Sequence, residues 1–130
     1  MAESVKHSPS GIHLLADLYG CPQNRLSDPG WLDGKLVAAA DEAGATVVNS
    51  SFHHFSPQGV SGVVIIAESH ITIHTWPEIG YAALDVFTCG RPELTNCITE
   101  KIVEQLEAES VKYNQVKRGT LLNQAMVANS

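Results

Sequence analysis

A chain of 130 residues has room for one compact domain with its own core and is too short for two ordinary ones. Hydrophobic residues make up 44% and charged residues 17%, the balance of a globular protein rather than a disordered or fibrous one. Eight Lys and Arg against 14 Asp and Glu leave a formal charge of -6, with no basic patch large enough to neutralise several phosphates, so nucleic acid is not an expected partner.

Met1 to Ser10 is polar and lacks the apolar stretch of a secretory signal. Gly11 to Tyr19 reads as a strand, partly buried through Ile12, Leu14, Leu15 and Leu18. Ser27-Asp28-Pro29 then starts a helix, because Ser or Asp can accept a first-turn N–H and Pro suits the first helical position. Trp31, Leu32, Leu36, Val37 and Ala40 continue at helical spacing, and Gly44 is placed to stop it.

Thr46 to Phe55, Ser61 to Ala67, Ile71 to Trp76 and Tyr81 to Cys89 read as strands, with Pro57-Gln58-Gly59 and Trp76-Pro77-Glu78-Ile79-Gly80 as turns. The unbroken apolar run Val63 to Ala67 predicts a strand covered on both faces or deep in the core, and it is far too short to span a bilayer. In the next strand Ile71 and Ile73 face one way, while His70, Thr72, His74 and Trp76 face the other, so one face is core and the other can carry chemistry. Leu94, Ile98, Ile102, Val103 and Leu106 mark a second amphipathic helix, and Glu109 to Val116 returns as a last strand. This order predicts an α+β, two-layer sandwich: a largely antiparallel sheet with two helices packed on one face, in a single domain spanning residues 1–130.

Cys21, Cys89 and Cys97 form no CxxC pair and cannot all pair within one chain, so a disulfide framework is not expected. With no membrane segment either, a cytoplasmic location is the expectation. No dinucleotide fingerprint, Walker loop or tandem repeat is present.

Chemistry concentrates in Glu68-Ser69-His70-Ile71-Thr72-Ile73-His74-Thr75-Trp76-Pro77-Glu78, followed one strand later by Phe87-Thr88-Cys89-Gly90. A hydroxyl, two imidazoles, a carboxylate and a thiol on adjacent pieces of one sheet can move protons and make covalent bonds. Each alone has a plainer reading: Ser69 as a turn residue, Cys89 as a small buried hydrophobe, Trp76 as core, Glu78 as a solvated turn. His70 and His74 share a strand face and, with His53 and His54, pose a non-catalytic metal-binding domain as an alternative, although no third ligand sits at a diagnostic spacing.

Taken together, the two motifs resemble the prokaryotic S-adenosylmethionine decarboxylases, a pyruvoyl-dependent family. Gly11-Ile12-His13-Leu14-Leu15, Phe52-His53-His54-Phe55-Ser56-Pro57 and Gly59-Val60-Ser61-Gly62 extend the likeness over residues 11–118. The resemblance implies a self-cleaving zymogen, split between Glu68 and Ser69 into fragments 1–68 and 69–130, with Ser69 becoming an N-terminal pyruvoyl group. It gives Ser61 and His74 roles in processing, His74 as proton acceptor, and makes Cys89 the proton donor of turnover. Phe55 and Trp76 correspond to positions that sandwich adenine, and Glu78 to one that takes the ribose hydroxyls.

The same resemblance implies decarboxylation of S-adenosylmethionine through a Schiff base between the substrate amine and the pyruvoyl carbonyl, giving the aminopropyl donor of spermidine synthesis. No pyridoxal phosphate and no metal are expected; all five lysines, Lys6, Lys35, Lys101, Lys112 and Lys117, lie outside the chemical motif. A homodimer of cleaved units with shared active sites is also implied. Relatives with the same processing chemistry act on arginine or ornithine, which leaves a basic amino acid as the alternative substrate.

Overall fold

A computed structural model describes residues 11–67, 69–89 and 91–121. Six strands form one antiparallel sheet: β1 (Gly11–Tyr19), β2 (Val47–His54), β3 (Val60–Ile66), β4 (Ser69–Trp76), β5 (Tyr81–Cys89) and β6 (Ser110–Arg118), in the order β2-β3-β4-β5-β1-β6. Two long helices, α2 (Pro29–Glu42) and α3 (Pro92–Leu106), pack on one face, with α2 against β2 and β3 and α3 against β5 and β1. The α+β two-layer expectation is met. Two small elements that read as loop and turn in the sequence are a one-turn helix, α1 (Gln23–Leu26), and a 3₁₀ turn at Pro77–Ile79. Among the described residues no helix is long and apolar enough to cross a membrane.

Local chemistry sets the helix limits. The Asp28 carboxylate accepts the Trp31 N–H at 3.0 Å, satisfying a first-turn donor, and Pro29 begins α2. Past its C-terminus Gly44 takes φ 96°, a conformation that L side chains avoid. Arg25 of α1 donates to the Gln105 carbonyl at 2.8 Å and pairs with Glu107 at 2.7 Å, tying the short helix to the end of α3.

Pleat alternation sorts the side chains. Leu14, Ala16 and Leu18 of β1, Ile71 and Ile73 of β4 and Ala82, Leu84 and Val86 of β5 are buried under Leu32, Leu36, Ile98, Ile102 and Leu106 of the helices. Among the described residues no helix packs on the opposite face. Its residues include Ser61, His70, Thr72, His74, Trp76, Tyr81, Asp85 and Phe87.

The run Val63 to Ala67 departs from its expected burial. Val64 and Ile66 are buried beneath α2, but Ile65 is 44% exposed and Val63 half-buried on the helix-free face. An unbroken apolar strand normally signals cover on both sides. Here no second layer is present among the described residues, and the strand contributes apolar surface to the open face instead.

Ile98, fully buried between α3 and the sheet, reports on this packing. Ile98→Ala should lower the unfolding free energy by about 2–5 kcal/mol, read as a shifted urea midpoint at unchanged slope.

Candidate active site

The residues singled out from the sequence fall into two groups at opposite ends of β4. At one end, Ser69 begins β4 and Cys89 ends β5, its antiparallel neighbour. Both line a hollow of about 140 Å³ together with Ala45, Thr46, Ala67, Arg91 and Leu94. Glu68, the expected cleavage residue, lies outside the described residues.

Buried threonines hold this end in place. The Thr88 hydroxyl donates to the Arg91 carbonyl at 2.9 Å and meets the Thr95 hydroxyl, while Thr99 donates to the Thr95 carbonyl at 2.7 Å. The end of β5 is thereby bonded to Arg91 and the first turns of α3. No disulfide links Cys21, Cys89 and Cys97. Burial pushes the Cys21 thiol up to about 11, which removes it as a proton carrier near neutral pH.

At the other end, Ser61 and His74 sit opposite each other in the β3–β4 register. The Ser61 hydroxyl and His74 Nδ1 are 2.8 Å apart, a hydrogen bond in which the hydroxyl donates when the imidazole proton is on Nε2. They line a second hollow of about 270 Å³ with Phe55, Gly59, Trp76 and Glu78. All three expected substrate contacts, Phe55, Trp76 and Glu78, therefore share one cavity with the expected processing pair. Trp76 stacks on Tyr81 at 5.1 Å between centroids, and Tyr81 on Tyr19 at 5.4 Å, so a row of rings runs from this hollow across the open face. Tyr81 donates to Asp17 at 2.7 Å; that bond and its burial push its phenol up to about 12, so it stays protonated.

A residue that sequence reasoning passed over anchors this second hollow. The buried Thr75 hydroxyl donates to the Leu26 carbonyl at 2.8 Å and accepts the Val60 N–H at 2.9 Å. One oxygen thus joins α1, the start of β3 and the end of β4, fixing Ser61 relative to His74 and Trp76. A threonine on the core face of an alternating strand is the signal in the sequence, since a buried hydroxyl needs partners.

The two groups do not meet in one chain. His74 lies five residues beyond Ser69, about 16 Å along a strand rising roughly 3.3 Å per residue. The odd separation also directs the two side chains to opposite faces of the pleat. His70 and His74 do share the open face, but their four-residue separation of about 13 Å is too long for one metal ion to bridge, which argues against the metal-binding alternative. His70 neighbours His13 and Phe87, with ring centroids 6.1 and 5.6 Å away. Burial, then the proximity of His13, lowers its pKa below the usual imidazole value despite the Asp85 carboxylate.

A family model described as S-adenosylmethionine decarboxylase matches residues 12–119. The chain is similar to the S-adenosylmethionine decarboxylase proenzyme of Caldicellulosiruptor saccharolyticus, 49% identical over 119 residues that cover 92% of this chain and 96% of that one. It is also similar to the crystal structure of the adenosylmethionine decarboxylase from Aquifex aeolicus, at 37% identity and a TM-score of 0.81, covering 86% of this chain and 92% of that one. A Trypanosoma brucei AdoMetDC monomer shares the fold at 14% identity and a TM-score of 0.58, covering 92% of this chain but 51% of that one.

Thr75→Val keeps the side-chain shape but leaves the buried Val60 N–H without its acceptor. It should cost about 1–3 kcal/mol of stability in urea unfolding, with Thr75→Ser recovering most of the loss.

Proposed function

The chain belongs to the S-adenosylmethionine decarboxylase family, and from that premise we propose that it cleaves itself between Glu68 and Ser69 and then decarboxylates S-adenosylmethionine at sites shared between two copies. It is a carboxy-lyase made as a proenzyme. The observation that carries the shared-site reading is the separation of Ser69 and Cys89 from Ser61, His74, Trp76 and Glu78 by nearly the length of β4. A proton acceptor cannot act about 16 Å away. A second copy laid antiparallel on the helix-free face brings its His74 end to the first copy's Ser69 end, and reaches Ser69 around the end of β4, because Ser69 is the first residue of that strand and its side chain is turned to the other face. The apolar and aromatic surface of that face, with Leu15, Tyr19, Ile65 and Trp76 each 38–44% exposed, supports such a partner.

Processing then uses the chain's own groups. The Ser69 hydroxyl attacks the Glu68 carbonyl carbon, and the peptide C–N bond breaks as the ester forms. Ser61 of the second copy is a donor for the oxyanion of that step. His74 of the second copy takes the α-proton of residue 69, whose Cβ–O bond breaks to release fragment 1–68 as a carboxylate. The remaining dehydroalanine takes up water and loses ammonia, leaving a ketone.

This pyruvoyl group has fewer heavy atoms than the serine it replaces, so the hollow beside Cys89 needs no enlargement to hold it. It supplies the electron sink that decarboxylation requires. Cys89 returns a proton to the carbon that lost CO₂, a role that a thiol S–H can fill. Phe55 and Trp76 of the second hollow offer faces to a flat base and to a cationic sulfonium, and Glu78 accepts two hydroxyl donors. An adenosyl sulfonium fits this set better than arginine or ornithine, which bring no flat ring system for two aromatic faces. A cytoplasmic setting completes the reading, because it keeps Cys89 reduced.

Wild-type protein should run as two fragments on a denaturing gel, the second lighter by one ammonia than simple hydrolysis gives, whereas Ser69→Ala stays whole. An unmodified Ser69 at the new terminus refutes the pyruvoyl reading. Shared sites make a second, independent prediction: His74→Ala alone remains uncleaved, but co-expression with Ser69→Ala restores cleavage of the His74→Ala chain, because the mixed dimer holds one intact site. Absence of that rescue would show that each site is built within one chain.

A further inference from the structure

Arg118, His13 and Phe87 form a cluster that neither the processing steps nor the adenosyl contacts use. Arg118 ends β6 and stands opposite Gly11 of β1, which stands opposite Cys89 of β5, so one register row runs from the guanidinium-bearing residue to the thiol. The Arg118 side chain crosses β1, since its guanidinium carbon lies 5.5 Å from the centroid of the Phe87 ring on β5. That ring occupies the space of the missing Gly11 side chain: a Cβ there would come within 2.7 Å of it. Residue 11 thus leaves room for Phe87, two residues from Cys89 on β5, to meet the guanidinium.

One donor of this cluster has no acceptor among the described residues, and the cation beside it has no carboxylate there. Arg118 Nη1 lies 3.5 Å from His13 Nδ1. A guanidinium only donates, so Nδ1 accepts and the His13 proton sits on Nε2. Nε2 is buried and has no partner among the described residues. Nor does any described carboxylate pair with Arg118. A cation with no described carboxylate and a buried N–H with no described acceptor, both beside an apolar ring, suit an anion brought in from outside.

We propose that Arg118 and His13 form the subsite for the α-carboxylate of the substrate. This rests on the decarboxylase reading above, in which the substrate amine joins residue 69 and Cys89 faces the α-carbon; the carboxylate is attached to that same carbon. A carboxylate taken from water into a covered face needs a charge partner, and an orienting donor fixes which bond to the α-carbon breaks. Because the negative charge leaves with CO₂, this contact favours the ground state. Its loss raises KM more than it lowers kcat.

The test is equilibrium binding of two nucleosides that lack the substrate's α-amine and therefore cannot react: adenosine carrying a 5′-(3-carboxypropyl)thio group and its 5′-propylthio counterpart. Processed wild-type enzyme should bind the carboxylate about tenfold or more tightly than the propyl compound. Arg118→Met should erase that preference without changing affinity for the propyl compound, and Arg118→Lys should keep part of it. In turnover, Arg118→Met should raise KM for S-adenosylmethionine with kcat nearly held. The proposal is overturned if wild type shows no preference, if the preference survives Arg118→Met, or if that variant weakens both nucleosides equally. An uncleaved wild-type chain, or one that binds neither nucleoside, would instead sink the underlying decarboxylase reading.

Discussion

The alternation of strand β4 governs the rest of the molecule. Residues 71, 73 and 75 point into the core and 70, 72, 74 and 76 point out of it, so the strand that holds the sheet to its helices also displays two histidines and a tryptophan. Its antiparallel ladders to β3 and β5 fix Ser61 opposite His74 and His70 opposite Phe87. A slip of one residue would exchange core for site along the whole strand. Both hollows inherit their positions from this register.

The same strand sets the distance between the two groups of site residues. Eight residues in extended conformation reach from Ser69 to Trp76, and nothing in an all-antiparallel sheet folds one end back on the other. Rigid strands suit exact side-chain placement but hold groups at their two ends apart. A single layer of helices has a further consequence, for it leaves one sheet face bearing apolar and aromatic side chains. The second copy proposed above would cover that face and complete the site at once.

Hydroxyl bonds give the two ends their stiffness. Thr75 joins three backbone segments under the Ser61–His74 pair, and Thr88 with Thr95 joins the end of β5 to α3 beside Cys89. Each lies on the core face, next in sequence to a residue that faces the site. Catalytic groups supported by buried bonds of this kind keep their geometry without reorganising during reaction.

From its amino acids alone the chain declared its two-layer α+β architecture, both long helices, the six strands, and the motifs that mark the family. These are encoded locally, in side-chain period, capping residues and contiguous motifs, and survive without knowledge of what packs where. The exposure of Ile65 was not readable, because an apolar run does not say whether a second layer exists to cover it. Nor was the division of Ser69 and Cys89 from Ser61 and His74, since a motif written on one line hides the rise of the strand between its ends. The gathering of Arg118, His13 and Phe87 was hidden more deeply: residues 105 positions apart became neighbours only when β6 paired with β1. Long-range pairing creates such contacts, and only the folded sheet decides them.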